Sequence, residues 1–198
     1  MALTIQFSVV EEDDGLSFRL YDETDWSGYD FIYLSSVVLT ATYDGTDYSV
    51  TLYDVSKSIN LLGITPSYVN LVGESPTAYF EITPDLLVND DGDAIGTTYF
   101  NDGYYEFSLV VTYDDVEYTG VYSAGFLAEL TLMASQLPLQ IDIYNFNYHE
   151  NRIQFLLIAL INSCKWAASL GKYTQFTQFV EKANALLSNR DIVPVWSS

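Results

Sequence analysis

The chain has 198 residues, of which 49% are apolar, and its formal net charge is −20. This length suffices for one domain, or for one domain with a substantial appendage, and the apolar content indicates a globular protein rather than a disordered one. Specific nucleic-acid binding and docking on an anionic membrane both need clustered Lys and Arg, so neither is expected of this acidic chain.

The amino terminus and the single cysteine bear on where the protein works. The opening stretch, "MALTIQFSVVEEDDG", lacks a basic region and predicts no signal peptide. The longest apolar run, residues 155–161, is far shorter than the roughly 20 residues that cross a bilayer. Cys164 is alone, which excludes a disulfide framework. We therefore expect a protein made in the cytoplasm and used there or in a particle assembled there.

Charge divides the chain into two parts near residue 150. Residues 1–150 contain 25 of the 27 acidic residues and only Arg19 and Lys57 as bases. Residues 151–198 contain all the other Lys and Arg against only two acids. Tyrosine follows the same division, with 16 of its 17 residues before position 150. This break in composition predicts two modules of different character.

Alternating apolar and polar residues predict short strands through the first 125 positions. The predicted strands are 3–10, 16–22, 29–43, 47–55, 68–72, 77–83, 104–113 and 116–124. Residues 29–43 form either one strand or two with a bend near Ser35–Ser36, and 56–67 is predicted to be a loop. No strand–helix–strand pattern is present. The sequence thus predicts an α+β protein whose residues 1–125 form an antiparallel β-sandwich of Ig-like or Greek-key type.

Two similar octamers lie in this region: "TYDGTDYS" at 42–49 and "TYDDVEYT" at 112–119. In each, a turn pair that begins with Asp separates Tyr- and Thr-rich segments. Asp-Gly favours a type I′ turn because both central residues need a positive φ. The octamers are therefore predicted to be two hairpin tips of one sandwich, and the alternatives are an internal duplication or a paired ligand site.

After residue 125 the spacing of the apolar residues changes from the alternation typical of strands. Residues 126–146 are predicted to be a linker with a short helix and a strand; the helix falls within 124–136 and the strand covers 139–146. Leu137-Pro138 ends that short helix.

A helical hairpin with a tail is predicted for residues 147–198. Asn147 and Glu150 have the spacing of a capping box, which opens a helix that runs to Leu170. Gly171 then stands at the C′ position, and a second helix covers 172–189.

The first helix of this hairpin is apolar on two sides. One stripe contains Ile153, Leu157, Leu160, Ile161, Cys164 and Ala168, and a second surface contains Phe155, Ile158, Ala159 and Trp166. A helix that is apolar on two sides is buried on two sides, so the second contact is with the β-domain or with a neighbouring subunit. The interface candidates are Phe155, Ile158, Trp166, Phe176 and Phe179.

No motif in the sequence predicts a metal site. Loop 89–96 resembles a calcium loop, but Leu87 stands where an EF-type loop needs its first acid, and Val10 has that position for "EEDDG" at 11–15. Both segments are predicted to be solvated turns, with opportunistic cation binding as the alternative. His149 is the only histidine and is predicted to mark a helix start.

No catalytic group of residues stands out either. Cys164 lies in the apolar stripe, roughly 22 Å along the same helix from His149, which excludes a Cys–His pair within one chain. Paired carboxylates carry no specific signal among 27 acids. We predict a protein that is not an enzyme and that needs no cofactor and no metal.

Exposed aromatic residues suggest a different role, that of a carbohydrate- or surface-binding module. The surface-contact candidates are Trp26, Tyr43, Tyr48, Tyr113 and Tyr118. Trp26, in the "DETDWSG" loop, is suited to stack on a sugar ring. Two roles can be distinguished by the positions of Trp26, Tyr29 and Tyr33. Their clustering in one open groove favours sugar binding, while their burial or placement at a subunit contact favours a structural role.

The whole chain resembles the virion components of tailed bacteriophages, and in particular the neck and tail-ring proteins of crAss-like phages. The resemblance rests on the acidic, Tyr-rich sandwich with segments such as "YDGTDYSVTLYDV", followed by the hairpin at 147–189. It implies a structural, ring-forming subunit in the head–tail neck or tail of a virion assembled in the host cytoplasm. Its partners would be copies of itself and other virion proteins. An assembly chaperone or adaptor, monomeric and bound to a partner through the hairpin, is the further alternative.

Overall fold

The computed structural model describes residues 3–13, 15–63, 79–136 and 148–188. The chain divides into two compact units. We call them the sandwich unit, which comprises Met1–Phe100 and Tyr105–Ala124, and the helical unit, which comprises Asn101–Tyr104 and Gly125–Ser198.

The strands of the described residues form two antiparallel sheets, one of three strands and one of five. The strands are β1 Phe7–Glu11, β2 Phe18–Asp22, β3 Leu34–Tyr43, β4 Thr46–Asp54, β5 Ile59–Asn60, β6 Tyr79–Ile82, β7 Gly103–Tyr113 and β8 Val116–Phe126. The strand orders are β1-β2-β6 and β5-β4-β3-β7-β8. The chain leaves the larger sheet after β5, adds β6 to the smaller sheet and returns as β7 beside β3. The predicted α+β class, with an antiparallel sandwich before a helical pair, is confirmed.

The core of the sandwich unit lies between the two sheets. Phe18 of β2 packs against Phe107 of β7 with ring centroids 5.1 Å apart, and both side chains are buried. At Gly120 of β8 an added Cβ would lie 2.7 Å from the carbonyl oxygen of Ile5, so only glycine allows this approach of two backbones. The alternation predicted for β4 is confirmed, because Val50 and Leu52 are buried.

Both octamers form hairpin turns in which both central residues have a positive φ. These angles are 48° at Asp44 and 77° at Gly45, and 51° at Asp114 and 60° at Asp115. Such pairs are type I′ turns, so the prediction of two hairpin tips is confirmed.

The two tips lie at opposite ends of the larger sheet. In the antiparallel β3–β7 pair, Tyr43 lies beside Tyr105 while Leu34 lies beside Tyr113. A strand of this length separates the tips by about 30 Å. The octamers therefore do not form one paired ligand site.

Some local predictions are wrong or only partly right. Phe31–Tyr33 form a 3-10 turn instead of the start of a strand, because Asp30 Oδ1 accepts a hydrogen bond from Ile32 N. The bend expected near Ser35–Ser36 appears as a shift of register between Leu34 and Ser36. The predicted loop 56–67 contains β5, which pairs with β4. The predicted strands 68–72 and 139–146 lie outside the described residues, as does Asn147, the first residue of the predicted capping box.

The helical unit contains α1 Ala128–Gln136, α2 Tyr148–Ser169 and α3 Tyr173–Ser188. These helices confirm the short helix and the hairpin, although residues 124–126 belong to β8 and not to α1. Their shared core consists of Leu127, Leu130, Ala134, Ile153, Leu157, Ile161, Cys164, Ala167, Ala168, Phe176 and Ala183. The first apolar stripe predicted on α2 is therefore buried, with Leu160 partly so.

Hydrogen bonds to the backbone fix the start of α1 and the end of α2. The Asp102 carboxylate accepts hydrogen bonds from the backbone N–H groups of Glu129 and Leu130, each at 3.0 Å, and so caps the start of α1. Burial raises the pKa of this carboxyl. Gly171 has a φ of 64° and donates to Ala168 O at 2.8 Å, while Lys172 N donates to Ala167 O at 2.9 Å. This is a Schellman motif, and it confirms the C′ position predicted for Gly171.

Candidate functional site

The outward side of α2 carries large apolar side chains that the described residues leave exposed. Phe155 is 80% exposed, Trp166 is 52% exposed and Ile158 is 45% exposed. Ile158 follows Phe155 by three residues and Trp166 follows it by eleven. At these spacings all three side chains lie on one side of the helix, within about 16 Å of its length. The second apolar surface predicted on this helix is therefore present and open.

Two lysines border these side chains and give the surface a positive charge. Lys172 Nζ lies 4.8 Å from the centroid of the Trp166 ring, in a cation–π contact. Lys165 is exposed and stands seven residues after Ile158, on the same side of α2. We name the five residues Phe155, Ile158, Lys165, Trp166 and Lys172 the hairpin face.

The other two interface candidates belong to the interior of the helical unit. Phe176 is only 4% exposed and packs on Tyr104 with ring centroids 5.9 Å apart, so its prediction as an interface residue is wrong. An added Cβ at Gly125 would lie 2.6 Å from Phe176 Cε2, and this glycine makes the room for the ring. Phe179 is half-buried and packs against the same core, with Lys182 Nζ 5.6 Å from its ring centroid.

Trp26 is 2% exposed, so its prediction as a surface-contact residue is wrong. Its Nε1 donates to Asp22 Oδ2 at 2.8 Å, and its ring packs on Phe31 with centroids 4.9 Å apart. The indole is thus buried with its polar atom satisfied. It offers no ring face to a sugar, and this outcome favours a structural role for the loop.

Tyr113, another surface-contact candidate, is half-buried at the centre of an aromatic cluster. Its ring lies 5.4 Å from that of Tyr29 and 6.0 Å from that of Tyr33, centroid to centroid. Its Oη accepts a hydrogen bond from Asp30 N at 2.9 Å. The β7–β8 tip joins the same cluster, because Asp114 N donates to Tyr33 O at 2.9 Å.

Around this cluster, exposed apolar and acidic side chains alternate. Tyr33 is 51% exposed, and Ile32 and Val116 are also exposed. We name the exposed residues at the Phe31–Tyr33 turn and the β7–β8 tip the tyrosine patch: Asp30, Ile32, Tyr33, Asp114, Asp115, Val116 and Glu117. Successive residues of a strand point to opposite faces, so Glu117 borders the patch from the side of β8 opposite to Val116. Sequence patterns did not single out Ile32 or Val116, although an apolar residue beside a turn is a signal that was available.

The remaining surface-contact candidates are half-buried tyrosines of the sandwich unit. Tyr43 stacks on the buried Tyr105 with ring centroids 4.5 Å apart. Tyr48 of β4 pairs with the buried Ala41 of β3, and Tyr118 lies on β8. Tyr43 and Tyr48 do not join Tyr113, because the tips of the two octamers are at opposite ends of the sheet.

A cleft of about 720 Å³ opens beside the Trp26 loop. It is lined by Leu3, Thr4, Gln6, Asp25, Ser27, Gly28 and Tyr29. Ser27 N donates to Asp25 Oδ1 at 2.9 Å, and the hydrogen bonds from Ser27 lower the pKa of this carboxyl. The cleft thus combines polar side chains with one partly exposed aromatic ring.

Comparison with protein-family models, with curated proteins and with solved structures finds no match for this chain.

Several of the residues considered for metal binding or catalysis lie in the described parts of the chain. Within the described parts of the chain, no three His, Cys, Asp or Glu side chains are placed to hold a metal ion. Loop 89–96 is closed by Asn89 Oδ1, which accepts from Asp93 N at 2.8 Å. Burial raises the pKa of the Cys164 thiol to about 11, so it is not a nucleophile at neutral pH.

Among the helices of the described residues, none combines the length and the apolar content that crossing a bilayer requires.

Proposed function

We propose that this chain is a non-enzymatic structural subunit of a phage particle, which forms or joins a ring in the head–tail neck or tail. The observation that carries the proposal is the hairpin face. Large apolar side chains exposed together on one side of a helix mark a protein–protein contact more often than a free surface.

The division of charge supports assembly from unlike surfaces. Residues 1–150 hold almost all the acids, whereas residues 151–198 hold most of the bases. Unlike surfaces that meet head to tail generate rings when the rotation closes. An acidic sandwich around the channel of such a ring would repel DNA, and that property suits a conduit through which DNA passes.

The assignment to a phage particle is supported by the resemblance in composition and arrangement to the neck and tail-ring proteins of crAss-like phages. That resemblance rests on an acidic, Tyr-rich sandwich followed by a helical hairpin, and the described residues contain both elements.

Assembly is tested by measuring mass with light scattering, together with negative-stain imaging, at tens of micromolar protein. We expect closed oligomers of the unmodified chain, and the variant Phe155→Ser/Trp166→Ser should remain monomeric. Val121→Ser is the matched control, because Val121 is equally exposed but lies on β8 outside both named surfaces. An unmodified chain that stays monomeric contradicts a free-standing ring, and a monomer that captures a virion protein through the hairpin supports the adaptor alternative.

The cleft beside the Trp26 loop favours a second candidate function, binding of a carbohydrate. Its hydrogen-bonding side chains from Thr4, Gln6 and Asp25 are of the kind that orient sugar hydroxyls, and Tyr29 adds an aromatic ring. A glycan array followed by calorimetry tests it. Binding that Gln6→Ala weakens and Val121→Ser leaves unchanged would favour adhesion over assembly.

A further inference from the structure

The tyrosine patch and the hairpin face are complementary in chemistry. Each has large exposed apolar side chains at its centre, namely Tyr33 and Ile32 on one and Phe155 and Trp166 on the other. The tyrosine patch is bordered by four acids, and the hairpin face is bordered by two lysines. Apolar centres with opposite charges at the rim are the arrangement of a specific interface.

The acids of the tyrosine patch are not matched by bases of their own unit. Arg19 and Lys57 are the only bases that the sandwich unit contains. Arg19 forms an ion pair with Glu12, and Lys57 pairs with Asp54 at 3.1 Å. Both basic side chains of the sandwich unit are therefore paired with acids outside the tyrosine patch.

The shape of the charge distribution also argues against a two-fold contact through the hairpin face. A two-fold axis would place the hairpin face against its own copy, and the named residues of the two faces would bring four lysines and no acid into the contact. Like charges facing each other across an interface oppose binding. A contact between unlike surfaces avoids this repulsion.

We propose that the hairpin face of one copy binds the tyrosine patch of the next copy, head to tail. This inference rests on the proposed function and specifies its subunit contact. Lys165 and Lys172 face the acids of the β7–β8 tip, and Phe155 and Trp166 pack on Tyr33 and Ile32. The octamer "TYDDVEYT" thereby contributes its acids to assembly, whereas "TYDGTDYS", at the other end of the sheet, does not.

The test uses two full-length variants with altered charge, studied by sedimentation velocity over a range of concentrations. The face variant carries Lys165→Glu and Lys172→Glu. The patch variant carries Asp114→Asn, Asp115→Gly and Glu117→Lys, because Asn-Gly keeps the type I′ turn while the charge changes. Far-ultraviolet circular dichroism confirms that each variant is folded.

We expect each variant alone to associate about tenfold or more weakly than the unmodified chain, because the acidic face repels the native patch in one variant and the patch no longer attracts the lysines in the other. An equimolar mixture should recover part of the assembly, because the native face of the patch variant fits the native patch of the face variant. The same substitutions combined in one chain should associate more strongly than the face variant, because the acidic face then meets a patch without net charge.

Each contrary result has a distinct meaning. If the unmodified chain assembles and both variants assemble equally well, the head-to-tail contact is wrong while the proposed ring stands. Variants that lose assembly but do not recover it on mixing also overturn this contact, as does a mixture in which only one variant self-associates. An unmodified chain that remains monomeric overturns the ring and this contact together.

Discussion

The two units of the molecule treat apolar surface differently. In the sandwich unit, alternation along β3 and β4 sends Leu39 and Leu52 to the interior and leaves polar residues such as Thr40 and Thr51 on the other side. In the helical unit, α2 buries Leu157 on one side and exposes Phe155 on the other. Both units nevertheless leave some large apolar side chains exposed, such as Ile32 and Tyr33 in the sandwich unit. Those of α2 differ in that three of them, Phe155, Ile158 and Trp166, lie together on one side of a single helix. Such a grouping is evidence of a contact and not of poor packing.

The sharpest test of this contrast uses two residues on opposite sides of α2. We expect Leu157→Ala to lower the free energy of unfolding by about 2–5 kcal/mol, because it leaves a cavity in the core. Phe155→Ala should change it by less than about 0.5 kcal/mol in dilute, dissociated protein, because the ring is exposed. Urea unfolding followed by circular dichroism measures both. Equal losses would show that Phe155 is packed within the chain and would remove the basis for the hairpin face.

A second test compares two glycines of β8, one in each unit. Gly120→Ala and Gly125→Ala should each cost about 1–3 kcal/mol, because both positions are closely approached. At Gly120 the nearest atom is a backbone oxygen, of Ile5, whereas at Gly125 it is the ring carbon Cε2 of Phe176. The backbone of Ile5 cannot move away from an added methyl group as easily as the Phe176 ring can.

A second substitution at the neighbouring residue tests whether the close approach causes the loss of stability at each glycine. Phe176→Leu should recover part of the loss caused by Gly125→Ala, while Ile5→Val should recover little of that caused by Gly120→Ala. A double-mutant cycle from urea midpoints gives both coupling energies. If neither pair is coupled, the close approaches do not limit the stability of either unit.

The smallest expected effect concerns Asp54, which forms an ion pair with Lys57 in the sandwich unit. Hydrogen bonds from Ser56, then from Lys57, lower the pKa of Asp54 from its ordinary value of 3.8 to about 2. The stabilisation that follows is present above the ordinary pKa and is lost as the pH falls through the lowered one. Asp54→Asn should therefore be less stable than the unmodified chain at neutral pH, and the difference should shrink between pH of about 4 and about 2.

Lys57→Met is the matched control for Asp54, and its effect should be smaller because the hydrogen bonds from Ser56 remain. The measurement is the urea midpoint of each variant as a function of pH. A difference for Asp54→Asn that stays constant down to pH of about 2 would contradict the lowered pKa.

The sequence predicted those features that depend on neighbours along the chain. The alternation in β4, the positive φ angles at both octamer turns and Gly171 at the end of α2 are all local signals. Two-residue β5 is too short to show alternation. The cap that Asp102 provides for α1 joins residues 27 apart, and no local pattern indicates such a pair.

The candidate surfaces were predicted only in part, for related reasons. Phe155, Ile158 and Trp166 were found because helical periodicity shows when one side has too many apolar residues. Phe176 was misassigned, although the spacing of Phe176, Val180, Ala183 and Leu187 is that of a core stripe and could have placed it. Trp26 lies in a polar loop without periodicity, so its burial could be learned only from the fold.

Cys164 has a practical consequence for the study of this molecule. It is the only thiol in the chain, and it is fully buried among the helices. A thiol reagent can react only when the helices separate around it, so the labelling rate reports how often the helical unit opens. Slower labelling at higher protein concentration would reveal that assembly holds the helices closed, without any engineered probe.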